Sequence, residues 1–365
     1  MSTFRLTMYP ARDGDCLVLT WGHGTLHHLV MDLGRSVTYE SVRPALAELG
    51  EVELLVISHI DADHIGGAMP LVRESAPPFT PKRVWFNARE QLLVAQNRTR
   101  PIEPFSTRQG DKLSQGITAL RWPWNAEFAS EVVSTGSLEA SDVIELAGGL
   151  GIRLLSPDDA ALTALLPTWK ATVKDEHAYP GDPDPVDEEV AGPTLERFGG
   201  LPNVTTLAGS RYVADDTLPN GSSIAFVAEF DDKRVLLAAD AHAEVLGRTL
   251  RPLADVEGGR VQIDLAKLGH HGSRRNTSNE LLELIDCSQF AFSTDGVRHG
   301  HPDPETVARL LAAEPTRDKM LWFNYRQPNS EMWEVPALAS KWRYRPEMPT
   351  VTTEDAGNGT IVIDI

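Results

Sequence analysis

Four side chains that can bind metal ions lie within six residues of one another, at His59, Asp61, Asp63 and His64. They directly follow an apolar run at residues 53–58, which predicts a buried strand. A loop after such a strand places its side chains at the carboxyl end of a sheet, where the binding and catalytic sites of α/β proteins usually lie. Imidazole and carboxylate groups at this spacing can hold two metal ions close together.

Two more apolar strands are predicted to end in metal-binding side chains. Residues 235–239 lead to Asp240, and residues 263–268 lead to His270 and His271. Taken alone, Asp240 is typical of a helix N-cap and the histidine pair of a polar turn. The three strand ends together favour a metal site, with Asp240 able to bridge two ions through its two oxygens.

The order of these motifs resembles that of the metallo-β-lactamase fold. His59-Ile-Asp-Ala-Asp-His64-Ile-Gly-Gly is similar to its His-x-His-x-Asp-His signature. Leu-Leu-Ala-Ala-Asp240 and Lys-Leu-Gly-His270-His-Gly-Ser273 resemble motifs of the hydrolase domain of ComEC-type competence proteins and its free-standing relatives. The matches run in order from residue 14 to residue 302. The resemblance implies an α/β (α+β) fold, a four-layer αββα sandwich with metals at one sheet edge.

The same resemblance implies two ion sites that share the Asp240 carboxylate. The first ion would be held by His59, Asp61 and Asp240, and the second by Asp63, His64, Asp240 and His270. The choice between His270 and His271 stays open. Asp61 stands where the family usually has histidine, and the interval between His64 and Asp240 offers only His177. We expect two divalent ions, with zinc as the first choice and manganese or iron as the alternatives that the carboxylates allow.

A metal-bound hydroxide is the nucleophile that the resemblance implies. Asp63 would orient it or accept its proton, and His271 and His301 are candidates for protonating the leaving group or binding substrate. For His271 and His301, a backbone hydrogen bond or a turn is an equal alternative. Candidates for substrate contact are Ser273, Arg274 and Asn220; Asn220 can instead orient a ligand, and the arginine can lie in a solvated turn.

We therefore predict a dinuclear metallohydrolase acting on a phosphodiester or phosphoester, such as a nucleotide or a short nucleic acid. Hydrolysis of a lactone, thioester or β-lactam-like ring is the alternative within the same fold. A metal-binding regulatory or scaffold protein without turnover is the alternative from another class, and the missing histidine in the interval favours it.

Composition limits the partners and the setting. The chain has 365 residues with 34 Lys+Arg against 52 Asp+Glu, a formal net charge of −18, which disfavours an extended nucleic-acid duplex as substrate. The 41% hydrophobic content excludes a wholly disordered chain. We expect no membrane span and no signal peptide, and two cysteines alone favour a reducing cytoplasm.

Residues 174–216 form the one stretch of distinct composition. Seven acidic residues lie between positions 175 and 189, with three prolines among them. We interpret 174–216 as a long, mobile insertion within a single domain that spans residues 1–365.

Deleting residues 175–189 is expected to leave a folded protein, because a segment this rich in acid and proline contributes little to a hydrophobic core. Circular dichroism should show the same cooperative thermal transition as in the intact chain. An insoluble product, or a melt without cooperativity, would show that the segment is structural.

Overall fold

The computed structural model describes residues 2–99, 112–139, 142–174, 201–349 and 359–365. Its strands, in chain order, are β1 (Ser2–Met8), β2 (Leu17–His23), β3 (His27–Met31), β4 (Glu51–Val52), β5 (Leu54–Val56), β6 (Thr80–Pro81), β7 (Val84–Trp85), β8 (Ile144–Leu146), β9 (Leu150–Ser156), β10 (Ala225–Phe230), β11 (Lys233–Leu237), β12 (Val261–Ile263), β13 (Leu265–Lys267), β14 (Ile285–Cys287), β15 (Gln289–Phe292), β16 (Lys319–Phe323), β17 (Tyr344–Glu347) and β18 (Ile361–Asp364). Its α-helices are α1 (Ser36–Ala47), α2 (Ala62–Ile65), α3 (Ala68–Leu71), α4 (Arg89–Thr99), α5 (Lys112–Ala119), α6 (Asp159–Lys174), α7 (Val204–Ala208), α8 (Leu218–Gly221), α9 (Ala243–Val256), α10 (Asn279–Leu284), α11 (Pro304–Ala313), α12 (Pro328–Glu331) and α13 (Pro336–Trp342).

Two large sheets share the same plan. The six-stranded sheet has the order β18-β1-β2-β3-β5-β7, and the eight-stranded sheet has the order β17-β16-β15-β13-β11-β10-β9-β8. In each sheet a run of antiparallel strands passes into parallel ones, at β3 in the first and at β11 in the second. Two further pairs, β4 with β6 and β12 with β14, are short and parallel.

The two sheets pack face to face over an apolar core. Along β11, Val235 and Leu237 point into this core, while Leu236 points to the opposite side. Along β2, Leu19 and Trp21 face the core in the same way. Side chains of a strand alternate between its two faces, so a continuous apolar run is needed where both faces are covered.

Helices cover the outer face of each sheet. On the six-stranded sheet, α1 and α6 bury residues such as Val42 and Trp169. On the eight-stranded sheet, α9 places Leu246 and Leu250 against the strands, and this four-residue spacing puts both side chains on one helix face. Helix, sheet, sheet and helix therefore follow one another, which confirms the predicted four-layer αββα sandwich.

Parallel strands direct their carboxyl ends to a common edge. The ends of β3 and β5 lead to Asp32 and the loop before α2, and the ends of β11 and β13 lead to Asp240 and the turn at Gly269–Gly272. The fold thus brings together the loops that carry the predicted ligands.

The second part of the predicted insertion is packed structure, so the prediction of a mobile loop is wrong for residues 201–216. Asn203 caps α7, where its Oδ1 accepts the Thr206 amide at 3.1 Å. Val204 is buried and Leu207 is partly buried, and α7 lies against α11. This helix has an apolar face that the acidic composition nearby concealed. Residues 175–200 lie outside the described residues.

Across the described part of the chain, no helix has the length and apolar character needed to cross a membrane. Cys16 and Cys287 are both buried and unpaired.

Candidate metal centre

The Asp240 carboxylate lies among four imidazole rings. Its Oδ2 is 3.5 Å from Nε2 of His64, 3.8 Å from Nε2 of His270 and 3.9 Å from Nε2 of His59. Its Oδ1 is 3.9 Å from Nε2 of His271. Every ring presents the same nitrogen to the carboxylate, although the rings come from two different sheets.

Two further carboxylates border this cluster. Oδ2 of Asp63 is 3.3 Å from Nε2 of His271 and 3.6 Å from Nε2 of His64. Oδ2 of Asp61 is 3.6 Å from Nε2 of His59, and its side chain is 42% exposed. Asp61 therefore lies at the solvent side of the cluster, whereas Asp63 is largely enclosed.

The donor atoms of this cluster fit a metal ion. Nε2 of His59, His64 and His271 and Oδ1 of Asp240 are buried, and no described residue forms a hydrogen bond with them. Leaving buried polar atoms unpaired costs about 1–3 kcal/mol each. Their convergence in one place is the pattern expected of ligands for a cation. Among the described residues, four sets of three donor atoms lie within 4.8 Å of one another and could hold an ion. Two of them, which share His64, are His59, His64 and Asp240, and Asp63, His64 and His271.

The outer nitrogen of each buried ring is held by a hydrogen bond. Nδ1 of His64 lies 2.8 Å from Oδ2 of Asp32, and that carboxylate also accepts the Ser58 amide at 2.7 Å and the Ser58 hydroxyl at 2.6 Å. Nδ1 of His271 lies 2.9 Å from the Ser293 carbonyl oxygen. An acceptor at Nδ1 leaves Nε2 as the basic nitrogen, which is the form that binds metal.

A buried ion pair lies beneath the cluster. The ammonium group of Lys267, which is fully buried, donates to Oδ2 of Asp15. Oδ1 of Asp15 has no hydrogen-bond partner among the described residues and lies 3.5 Å from Nδ1 of His271. The pair links the first sheet to the strand that delivers His271.

The backbone bends sharply where the strands deliver these side chains. Asp32, Ala239, His270 and His271 all have positive φ values, at 57°, 45°, 47° and 53°. Left-handed conformations cost non-glycine residues roughly 1–2 kcal/mol each, so the surrounding packing must hold them in place. Gly14 is needed for a different reason, because a Cβ there would lie 1.8 Å from the Asp63 carbonyl oxygen.

Without bound ions, the cluster attracts protons. Burial lowers the pKa of His271, but Asp240 and Asp15 outweigh it and raise the value to about 10. The pKa of His64 is likewise well above its ordinary value, since the carboxylates around it outweigh burial. The pKa of the Asp240 carboxyl stays well below its usual range despite burial, because of the histidines. A strong negative potential at this site favours divalent cations.

The remaining predicted site residues have mixed surroundings. The His301 ring lies 5.1 Å from the His270 ring, which places it beside the cluster. Ser273 is buried and its hydroxyl accepts the Arg275 amide at 3.2 Å, so it is not open to a substrate. Arg274 is paired with Glu305 at 2.7 Å.

Asn220 is also buried, and its amide lies 3.2 Å from Nδ1 of His270. This position agrees with an orienting role and not with contact to a substrate. His177 lies outside the described residues.

Several residues that complete the cluster have no signal of their own in the sequence. They are Asp15, Ser58, Asp215, Lys267, Asn276 and Ser293. Asp15, Lys267 and Ser293 lie inside stretches that resemble family motifs, and that position is the only indication of a role. Asp215 lies in the segment that we interpreted as an insertion, and Asn276 is one polar residue among several after His271.

Comparison with known proteins gives limited similarity. No protein-family model and no curated protein matches the chain. The chain is similar to a long form RNase Z from yeast, with 10% sequence identity and a TM-score of 0.33 over 89% of this chain and 38% of that one. It is also similar to the MIM-2 metallo-β-lactamase, with 13% identity and a TM-score of 0.29 over 84% of this chain and 89% of that one. The chain thus spans well under half of the yeast protein, and neither similarity assigns an activity to it.

Replacing Lys267 with Met should destabilise the fold by about 3–5 kcal/mol, because the buried Asp15 carboxylate then lacks its counter-charge. The double variant Asp15→Asn/Lys267→Met should recover most of that loss, since neither side chain is then charged. Urea unfolding in the presence of a chelator measures both. Arg5→Met is the control: this exposed arginine pairs with the exposed Asp364 at 2.6 Å, and its loss should cost at most about 1 kcal/mol. An unfolding free energy for Lys267→Met equal to that of the wild type would contradict the interpretation.

Proposed function

We propose that this protein is a metal-dependent hydrolase of the metallo-β-lactamase superfamily that uses two divalent ions. The observation that carries the proposal is the convergence of unpartnered, buried donor atoms on His59, His64, Asp240 and His271. The motif order in the sequence supports the superfamily, and the four-layer sandwich supplies the matching framework.

The chain offers enough donors for two ions. His59 approaches Oδ2 of Asp240, and the exposed Asp61 lies next to His59. His271 approaches Oδ1 of Asp240, and the Asp63 carboxylate lies next to His271. Divalent ions bound here would lower the pKa of a water molecule to near neutrality and stabilise negative charge that develops on the substrate. Zinc suits this mixture of imidazole and carboxylate, with manganese or iron as alternatives.

The protein's own groups would orient the reaction. Asp63 is adjacent to two imidazoles and can accept a hydrogen bond from the nucleophile. His301 lies beside the His270 ring, and burial lowers its pKa, so its ring is neutral near pH 7. A neutral ring in this position can donate its N–H to the leaving group and orient it.

We favour a small phosphodiester or phosphoester, such as a nucleotide or a short nucleic acid, as substrate. The resemblance to ComEC-type hydrolase domains supports this class, and the net charge of −18 disfavours an extended duplex. Arg274 adds no support, because Glu305 already neutralises it. A lactone, thioester or β-lactam-like ring is the alternative substrate class.

Replacing Asp240 with Ala should abolish hydrolysis and lower the metal content, because the carboxylate is close to all four histidines. Elemental analysis of the purified protein should give two equivalents of divalent metal for the wild type and fewer for the variant. Asp318→Ala is the control, since Asp318 forms an exposed pair with Arg343 away from these histidines. Full activity of Asp240→Ala would overturn the dinuclear proposal.

A hydrolysis screen tests the substrate class. We expect turnover of bis(p-nitrophenyl) phosphate that a chelator removes and added divalent metal restores. Turnover of lactones or thioesters alone would favour the alternative class. One metal equivalent and no turnover on any substrate would instead favour a metal-binding regulatory protein. This hypothesis competes because the interval between His64 and Asp240 offers only His177 as a further histidine ligand.

A further inference from the structure

Polar groups surround the outer nitrogen of His270. Nδ1 lies 3.1 Å from Oδ1 of Asn276, 3.2 Å from Nδ2 of Asn220 and 3.5 Å from Oδ2 of Asp215. The opposite nitrogen, Nε2, lies 3.8 Å from Oδ2 of Asp240. The proton on Nδ1 therefore decides whether Nε2 carries a lone pair or a hydrogen where it faces the cluster.

The amide of Asn276 can point in only one direction. Its Nδ2 donates to Oδ2 of Asp215 at 3.0 Å and to the Asp240 carbonyl oxygen at 3.1 Å, and the Ala241 carbonyl oxygen is 3.3 Å away. All three neighbours are acceptors, so the NH₂ group must face them and Oδ1 must face His270. An acceptor then lies at Nδ1 of the ring.

The Asp215 carboxylate is fixed beside the same ring. Its Oδ2 accepts the Asn220 amide at 2.6 Å, and its Oδ1 accepts the Thr217 amide at 3.1 Å and hydroxyl at 2.9 Å. The side chain is buried. Two acceptors, on Asn276 and Asp215, thus face Nδ1 of His270. The one donor group there, Nδ2 of Asn220, directs one of its two hydrogens to Oδ2 of Asp215 at 2.6 Å and lies farther from the ring, at 3.2 Å.

We propose that Asn276 and Asp215 are positioning residues that hold His270 in the Nδ1–H tautomer, so that its Nε2 presents a lone pair for a divalent ion beside Asp240. The inference rests on the proposed metallohydrolase function. It makes both adjacent histidines ligands: His270 faces Oδ2 of Asp240, and His271 faces Oδ1.

In this arrangement, His270 can take the place of the histidine ligand that the family usually has between His64 and Asp240. Asp240 Oδ2 is 3.9 Å from Nε2 of His59 and 3.8 Å from Nε2 of His270. His59 and His270 therefore approach the same carboxylate oxygen. The left-handed backbone at both His270 and His271 is what turns two consecutive side chains toward one site.

The tautomer can be measured in the metal-free full-length protein. We would record ¹H–¹⁵N correlation spectra of ¹⁵N-histidine-labelled protein at a pH above the pKa of the ring. The His270 signals are assigned by their loss in His270→Gln, and they should show the proton on Nδ1. A proton on Nε2 overturns the proposal. This result does not depend on whether the protein has hydrolase activity.

Metal affinity tests the positioning role. Asn276→Ala should bind one of two Zn²⁺ ions about 10–100-fold more weakly than the wild type in competition with a chromophoric chelator. Asn125→Ala is the matched control, because this buried amide bonds to the backbone of Phe86 and Glu131 and not to the histidine cluster, with Nδ2 at 2.8 Å from the Phe86 carbonyl oxygen. We expect the control to lose unfolding free energy but to keep its zinc affinity within about twofold, unlike a ligand-orienting variant.

The outcomes separate the two proposals. Unchanged zinc affinity in Asn276→Ala overturns the positioning role alone. Wild-type protein that binds no Zn²⁺, Mn²⁺ or Fe²⁺ overturns the proposed function, whatever the variant does. If Asn276→Ala does not fold, Asp215→Asn gives the same comparison, because it removes the charged acceptor at nearly constant volume.

Discussion

A carboxylate buried among imidazoles, as Asp240 is, is stable only if positive charge lies close to it. Protons on the histidines or divalent ions between them can supply that charge, and the two compete for the same nitrogens. The groups behind the rings decide which nitrogen remains basic. Asp32, the Ser293 carbonyl oxygen, Asn276 and the Ser58 hydroxyl each lie at one of the four Nδ1 atoms, and all four Nε2 atoms face the carboxylate.

The sandwich makes this possible because its two sheets present parallel strands to one edge. His59 and His64 come from the first sheet, and Asp240 and His271 come from the second. The Asp15–Lys267 pair joins the sheets directly beneath the cluster. The apolar face between the sheets therefore fixes the separation of the ligands, and the loops need only short turns to reach each other.

Sequence alone predicts the strand ends well, because an apolar run followed by His or Asp is a local pattern. The four-layer sandwich that the motif order implies is also the observed fold. Local sequence patterns cannot show which distant residue forms an ion pair with an exposed side chain. Arg274, a candidate for substrate contact, is paired with Glu305, thirty-one residues later in the chain.

The sequence also does not show that the side chains of His270 and His271 face the same site. Two consecutive side chains ordinarily point apart along an extended chain, so one ligand is the natural expectation for a histidine pair. The positive φ values of both residues change that geometry. Asp215 is missed for another reason: it follows an acidic stretch whose composition resembles a linker, although the residues around it pack on α11.

The distance along the chain between Asp15 and Lys267 has a consequence for how the protein acquires its structure. These residues are 252 positions apart, yet their charges must meet in a buried place. Contacts of such long sequence separation form late, because the chain must first be closed into a very large loop. Until then, Asp15, in the turn between β1 and β2, lacks the ammonium group that neutralises it. A centre built from both sheets is complete only once the two halves of the sandwich have joined, so partly folded chains lack the full set of donor atoms.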